Sequence, residues 1–106
     1  MAHKQQFKSF ADMIEHSETP VLVDFYASWC GPCRLMAGVL DQVKAEVGER
    51  VAIVKVDTEK YPQIAMQWQI NALPTLILFK NGQPIDRIEG VLQPKVLVDR
   101  LQQQVA

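Results

Sequence analysis

Six residues from Val21 to Tyr26, Val-Leu-Val-Asp-Phe-Tyr, are β-branched, aliphatic or aromatic except for one acid. Alternation is missing, so both faces of this run call for cover, as in a strand inside a sheet layered by helices. Soon after it Leu35, Met36, Val39, Leu40, Val43 and Val47 recur at helical spacing, with Arg34, Asp41, Gln42 and Lys44 between them. The chain's only two cysteines, in Trp29-Cys30-Gly31-Pro32-Cys33, sit at this strand-to-helix join. A helix N-terminus leaves backbone N–H groups unpaired and carries partial positive charge. A thiolate placed there is stabilised, its pKa falls, and the thiolate is the form that attacks disulfides. Two intervening residues bring the sulfurs within bonding reach, and Pro32 presets the backbone where an N–H would be unpaired anyway. The join therefore reads as a redox centre.

Three other readings of the pair carry less. A zinc site needs further ligands at short spacing, and the only histidines, His3 and His16, lie far upstream and far apart. A structural staple across two residues would remove little loop entropy. Two ordinary buried cysteines would not require Gly-Pro between them.

Taken with Leu73-Pro74-Thr75 and Lys80-Asn81-Gly82, the stretch Val23 to Cys33 resembles the thioredoxin family along nearly the whole chain. That family is the reference case for this cysteine spacing. The resemblance implies an α/β thioredoxin fold, a central mixed sheet flanked by helices in three layers. It also implies a protein-disulfide reductase that cycles Cys30 and Cys33 between dithiol and disulfide and uses no cofactor beyond that pair. Its partners would be disulfide-containing target proteins and an electron donor such as a thioredoxin reductase.

Composition agrees with this expectation. A chain of 106 residues, 48% hydrophobic, suffices for one domain over 1–106, acting as a monomer. Eleven basic against twelve acidic residues, a formal charge of −1 with no basic block, offer nothing to nucleic acid or an anionic membrane. The N-terminus lacks an apolar leader and no run approaches the ~18 apolar residues of a membrane span, which points to a reducing, cytoplasmic compartment. Two cysteines there are more often catalytic or metal-binding than a permanent staple.

The remaining elements follow in order. The first eight residues offer only Phe7 to a core, so a first strand around Lys4 to Phe7 would be short or ragged. Ser9 caps a helix carrying Phe10, Met13 and Ile14. A helix is expected from Pro32 to Val47 with Gly48 as its stop, then a parallel strand over Val51 to Val56. Pro62 opens a short helix with Ile64, Ala65 and Trp68 inward. Thr75 to Lys80 and Gln83 to Glu89 form a hairpin across Asn81-Gly82, with Pro84 marking an edge strand. Pro94 begins a last helix with Val96, Leu97, Leu101 and Val105 toward the sheet.

Roles follow for particular residues. Cys30, ahead of the helix, faces solvent as the nucleophile, and Cys33 resolves the mixed disulfide from beneath. Asp24, a lone carboxylate in a covered strand, should have a raised pKa and exchange a proton with Cys33, unless it lies at a solvated edge. The resemblance puts Lys55 near Asp24, where it opposes that rise or else snorkels to solvent. It also gives Trp29, Gly31, Pro32, Leu73, Pro74 and Gly90 to the substrate groove, with a cis bond before Pro74 that frees the backbone of Leu73 for a bound peptide. Trp29 could instead pack in the core. Two positions depart from the family: Gly38 stands where a kinking Pro is common, and Tyr26 where a Trp is common. Glu89 makes the groove rim acidic if it faces inward. The same fold also serves disulfide oxidases and isomerases, and a binding module without turnover is a further possibility. Gly-Pro between the cysteines speaks against the oxidase.

Overall fold

In the computed structural model, which describes residues 5–105, the Ser9 hydroxyl accepts the Asp12 N–H at 3.0 Å and starts α1, Phe10–His16. β1 spans Val21–Tyr26, and α2 runs unbroken from Gly31 to Val47. Gly48, at φ +58, ends α2 and leads through a short 3₁₀ turn, Gly48–Arg50, into β2, Ala52–Asp57. α3 covers Pro62–Gln67, β3 Thr75–Lys80, β4 Gln83–Glu89 and α4 Pro94–Val105. Asn81 and Gly82 both take positive φ in the two-residue turn joining β3 to β4, the geometry that matches strand twist.

The sheet order is β2-β1-β3-β4, with β1 and β2 parallel and the other two pairings antiparallel. This is the expected central mixed sheet, and Pro84 lies on the edge strand β4. Residues of β1 alternate between two cores. Leu22 joins Leu76, Leu78 and Ile88 beneath Met36, Leu40, Val43 and Val47 of α2 and Leu97, Val98 and Leu101 of α4. Val21, Val23 and Phe25 join Ile77 and Phe79 on the other face, covered by Ile14 of α1, by Ile64 of α3 and by Trp68 at its C-terminal cap. The two apolar faces of β1 are thus both used. Asp24 falls on the same face as Leu22, under α2.

Asp86 of β4 accepts both Arg100 Nε and Nη2 at 2.7 Å and Gln104 Nε2 at 2.7 Å, which clamps α4 to the sheet edge.

Several expectations need correction. Leu35 is 66% exposed and Val96 51% exposed, so neither faces the sheet; Val98 is buried in place of Val96. An α-helix buries only one stripe, and each misplaced residue sits one or two positions off it. Gln5, Gln6 and Phe7 belong to no strand, although Phe7 is half-buried, and Lys4 lies outside the described residues. Trp68 is half-buried rather than fully enclosed and packs edge-on against Phe79 at 4.9 Å. Among the described residues no helix is long and apolar enough to cross a membrane.

Candidate active site

The end of β1 and the start of α2 set the site. Cys30 is the N-cap of α2, Pro32 lies in its first turn, and Cys30 and Cys33 form a disulfide with their Cα atoms 5.2 Å apart. The N–H of Cys33 donates to Cys30 Sγ at 3.2 Å, so one of the helix's unpaired N-terminal donors points at this sulfur. A thiolate at that atom gains the same hydrogen bond and the helix's positive end. Both cysteines are 5% exposed, so in the disulfide form Cys30 does not face solvent more than Cys33, contrary to expectation. They pack with Ala27, Tyr26 and Leu73.

The two cysteines differ in what lies beside them. Cys30 lines an open groove of about 500 Å³ together with Trp29, Gly31, Pro32, Thr58, Ile70, Asn71 and Leu73. Trp29 is 67% exposed and forms one rim, which removes the core-packing alternative. The Leu73–Pro74 bond is cis, in keeping with the resemblance. Pro74 is buried, and its carbonyl accepts the N–H of Gly90 at 2.9 Å. Gly90, at φ +91, therefore braces the Pro74 turn. Glu89 is exposed, and its carboxylate lies 3.6 Å from Arg87 Nε.

Cys33 lines a second, smaller cavity of about 200 Å³ with Asp24, Lys55, Tyr26, Ala27, Ser28, Arg34 and Ala37. Asp24 is 1% exposed, which removes the solvated-edge alternative. Burial pushes its carboxyl pKa up from 3.8 to about 6, and the charge of Lys55 works against that rise. Asp24 and Lys55 are register partners across β1 and β2 and so share a face, but Lys55 reaches out to solvent. Asp24 Oδ1 is buried with no hydrogen-bond partner. Among the described residues no group of His, Cys, Asp and Glu is placed to hold a metal ion.

Four residues escaped the sequence reading. Thr58, Ile70 and Asn71 complete the groove, and Arg34 reaches the inner cavity while its guanidinium donates to the Ser28 carbonyl at 3.1 Å. Thr58 had one readable trait, a hydroxyl just past the end of β2, which donates to the Tyr26 carbonyl at 3.0 Å.

A helix capped by the first sulfur of a two-residue cysteine ring, at one end of a mixed sheet between helices, defines a thiol–disulfide oxidoreductase of α/β architecture. Comparison with known proteins narrows the class. The thioredoxin family model matches residues 1–103, and the chain belongs to the thioredoxin family. It is 56% identical to a thioredoxin-like protein of Synechocystis, over 96% of this chain and 97% of that one. It is 52% identical to thioredoxin Y1, chloroplastic, of Arabidopsis thaliana over 95% of this chain, which spans 59% of that longer relative. Among solved structures, a malaria parasite thioredoxin-2, described as a component of protein secretion machinery, superposes with a TM-score of 0.79 at 27% identity, covering 81% of this chain and 84% of that one. As in the family, the redox-active disulfide is in the chain itself and no cofactor is needed.

Proposed function

We propose that the chain is a general protein-disulfide reductase, a single domain over residues 1–106 acting as a monomer in a reducing, cytoplasmic compartment. The observation that carries this reading is the Cys33 N–H to Cys30 Sγ hydrogen bond at the edge of an open groove. In the dithiol form, Cys30 thiolate attacks one sulfur of a target disulfide. A Cys30–target disulfide forms, and the other target sulfur leaves as a thiolate and takes up a proton. Cys33 then gives its proton to the Asp24 carboxylate and attacks Cys30 Sγ. The second target sulfur leaves, and the Cys30–Cys33 disulfide closes. Two electrons pass from the dithiol to the target.

Cavity geometry supports Asp24 as the proton acceptor, since Asp24 and Cys33 line one small cleft. Lys55 tunes that carboxyl through its charge. Trp29, Gly31, Pro32 and Leu73 hold the target's chain, and Pro74 with Gly90 shapes the turn behind it. A donor dithiol, supplied by a thioredoxin reductase or an equivalent carrier, returns the two electrons. The test is reduction of an insulin-type disulfide with candidate donors. Turnover should require both cysteines, and undiminished turnover by Cys30→Ser would overturn the reading.

A further inference from the structure

Strand alternation in β4 turns Ile88 into the core under α2, so Arg87 and Glu89 project from the opposite face, toward α3. There the Arg87 guanidinium forks. Nη1 donates to the Trp68 carbonyl at 2.8 Å and Nη2 to the Gln69 carbonyl at 2.5 Å, while Nε lies 3.6 Å from Glu89 Oε1. Trp68 is the C-cap of α3, where carbonyls lack helical partners and a cation is favoured. Gln69 stands at φ +53, a left-handed conformation that a side chain disfavours and that its surroundings must hold. One residue further on, the chain becomes the groove wall: Ile70, Asn71 and Leu73 face Trp29, Cys30, Gly31 and Pro32.

We propose that Arg87 is a positioning residue for target recognition, its fork on the carbonyls of Trp68 and Gln69 holding the wall from Ile70 to Leu73 at its working distance from Cys30. The inference rests on the groove reading of the proposed function. A planar fork bonds two carbonyls at once, which an ammonium on a flexible stem does not reproduce. A polypeptide target lies along the wall and feels its position. A small disulfide needs only Cys30.

The test compares wild type with Arg87→Met and Arg87→Lys on insulin and on hydroxyethyl disulfide. Arg87→Met should raise KM for insulin on the order of ten-fold, since misplaced binding contacts are felt strongly, with kcat and the hydroxyethyl disulfide rate unchanged. Arg87→Lys should fall between. An unchanged insulin KM in a folded Arg87→Met overturns the inference, as does an equal loss on both substrates. If Arg87→Met does not fold, amide hydrogen exchange in Arg87→Lys decides: the N–H groups of Ile70, Asn71, Ala72 and Leu73 should exchange faster, and unchanged exchange overturns the inference. A wild type that reacts with hydroxyethyl disulfide but not insulin refutes the general reductase, and the exchange measurement still decides the role of Arg87.

Discussion

Asp24 and Lys55 stand opposite each other in the register of β1 and β2, yet no ion pair joins them, and Asp24 Oδ1 is buried without a partner. A fold that placed Asp24 for stability would have paired it. Its location in one cavity with Cys33 is what the proposed role of proton acceptor would use.

The first prediction concerns stability against pH. With the folded-state pKa raised from 3.8 to about 6, the folded chain keeps a proton between these values that the unfolded chain has lost. Stability therefore falls as pH rises through this window and levels off above it. A shift of this size corresponds to roughly 3 kcal/mol at most. Urea denaturation of Asp24→Asn should show higher stability than wild type at neutral pH, with the difference shrinking toward pH 4. A variant less stable at neutral pH would contradict the argument.

Second, Asp24→Asn should slow the closing of the Cys30–Cys33 ring on the order of 10²-fold, the low end of the ~10²–10⁴ that a positioned acid or base supplies. In wild type the closing rate should drop as pH falls below about 6, where the acceptor is protonated. Rapid-quench measurement of mixed-disulfide decay reads both. An inflection near 6 that survives in Asp24→Asn would assign it to another group.

The third prediction separates the cysteines. In the reduced protein Cys30, which caps α2, should react with iodoacetamide near neutral pH much faster than Cys33. Cys33→Ser should retain covalently bound target, because the resolving thiol is gone. Mass spectrometry of the alkylated and trapped species checks each, and equal alkylation would sink the assignment.

Fourth, Gly38→Ala should stabilise the fold by up to ~1 kcal/mol, the helix-propensity difference between the two residues. Gly38 is exposed within the unbroken α2, and a methyl group added there meets no atom within 4 Å. Thermal or urea unfolding reads the change.

Local chemistry made much of this legible. The covered run at Val21–Tyr26, the Asn81-Gly82 turn and the proline that opens each of α3 and α4 are all set by a few neighbouring residues. Cys30 and Cys33 were visible for the same reason. Leu35 and Val96 were misplaced because helical spacing fixes a stripe only to within a residue, and the sheet chooses which residue it covers. Thr58, Ile70 and Asn71 could not be read as groove residues: they come from the segments after β2 and α3, which only the assembled sheet brings beside Cys30. Arg87 gave no motif, since its partners are main-chain carbonyls 18 and 19 positions away.

The sulfur that caps α2 is also the atom that accepts and gives up electrons. Folding and reduction then form a thermodynamic cycle. Any difference in folding free energy between dithiol and disulfide forms reappears as a difference in reduction potential between folded and unfolded chain, about 30 mV for each 1.4 kcal/mol. A substitution anywhere along α2 that weakens its first turn in one redox form more than the other moves the potential, even when it touches neither cysteine. The midpoint voltage of the disulfide is in this sense a gauge of how well one helix begins.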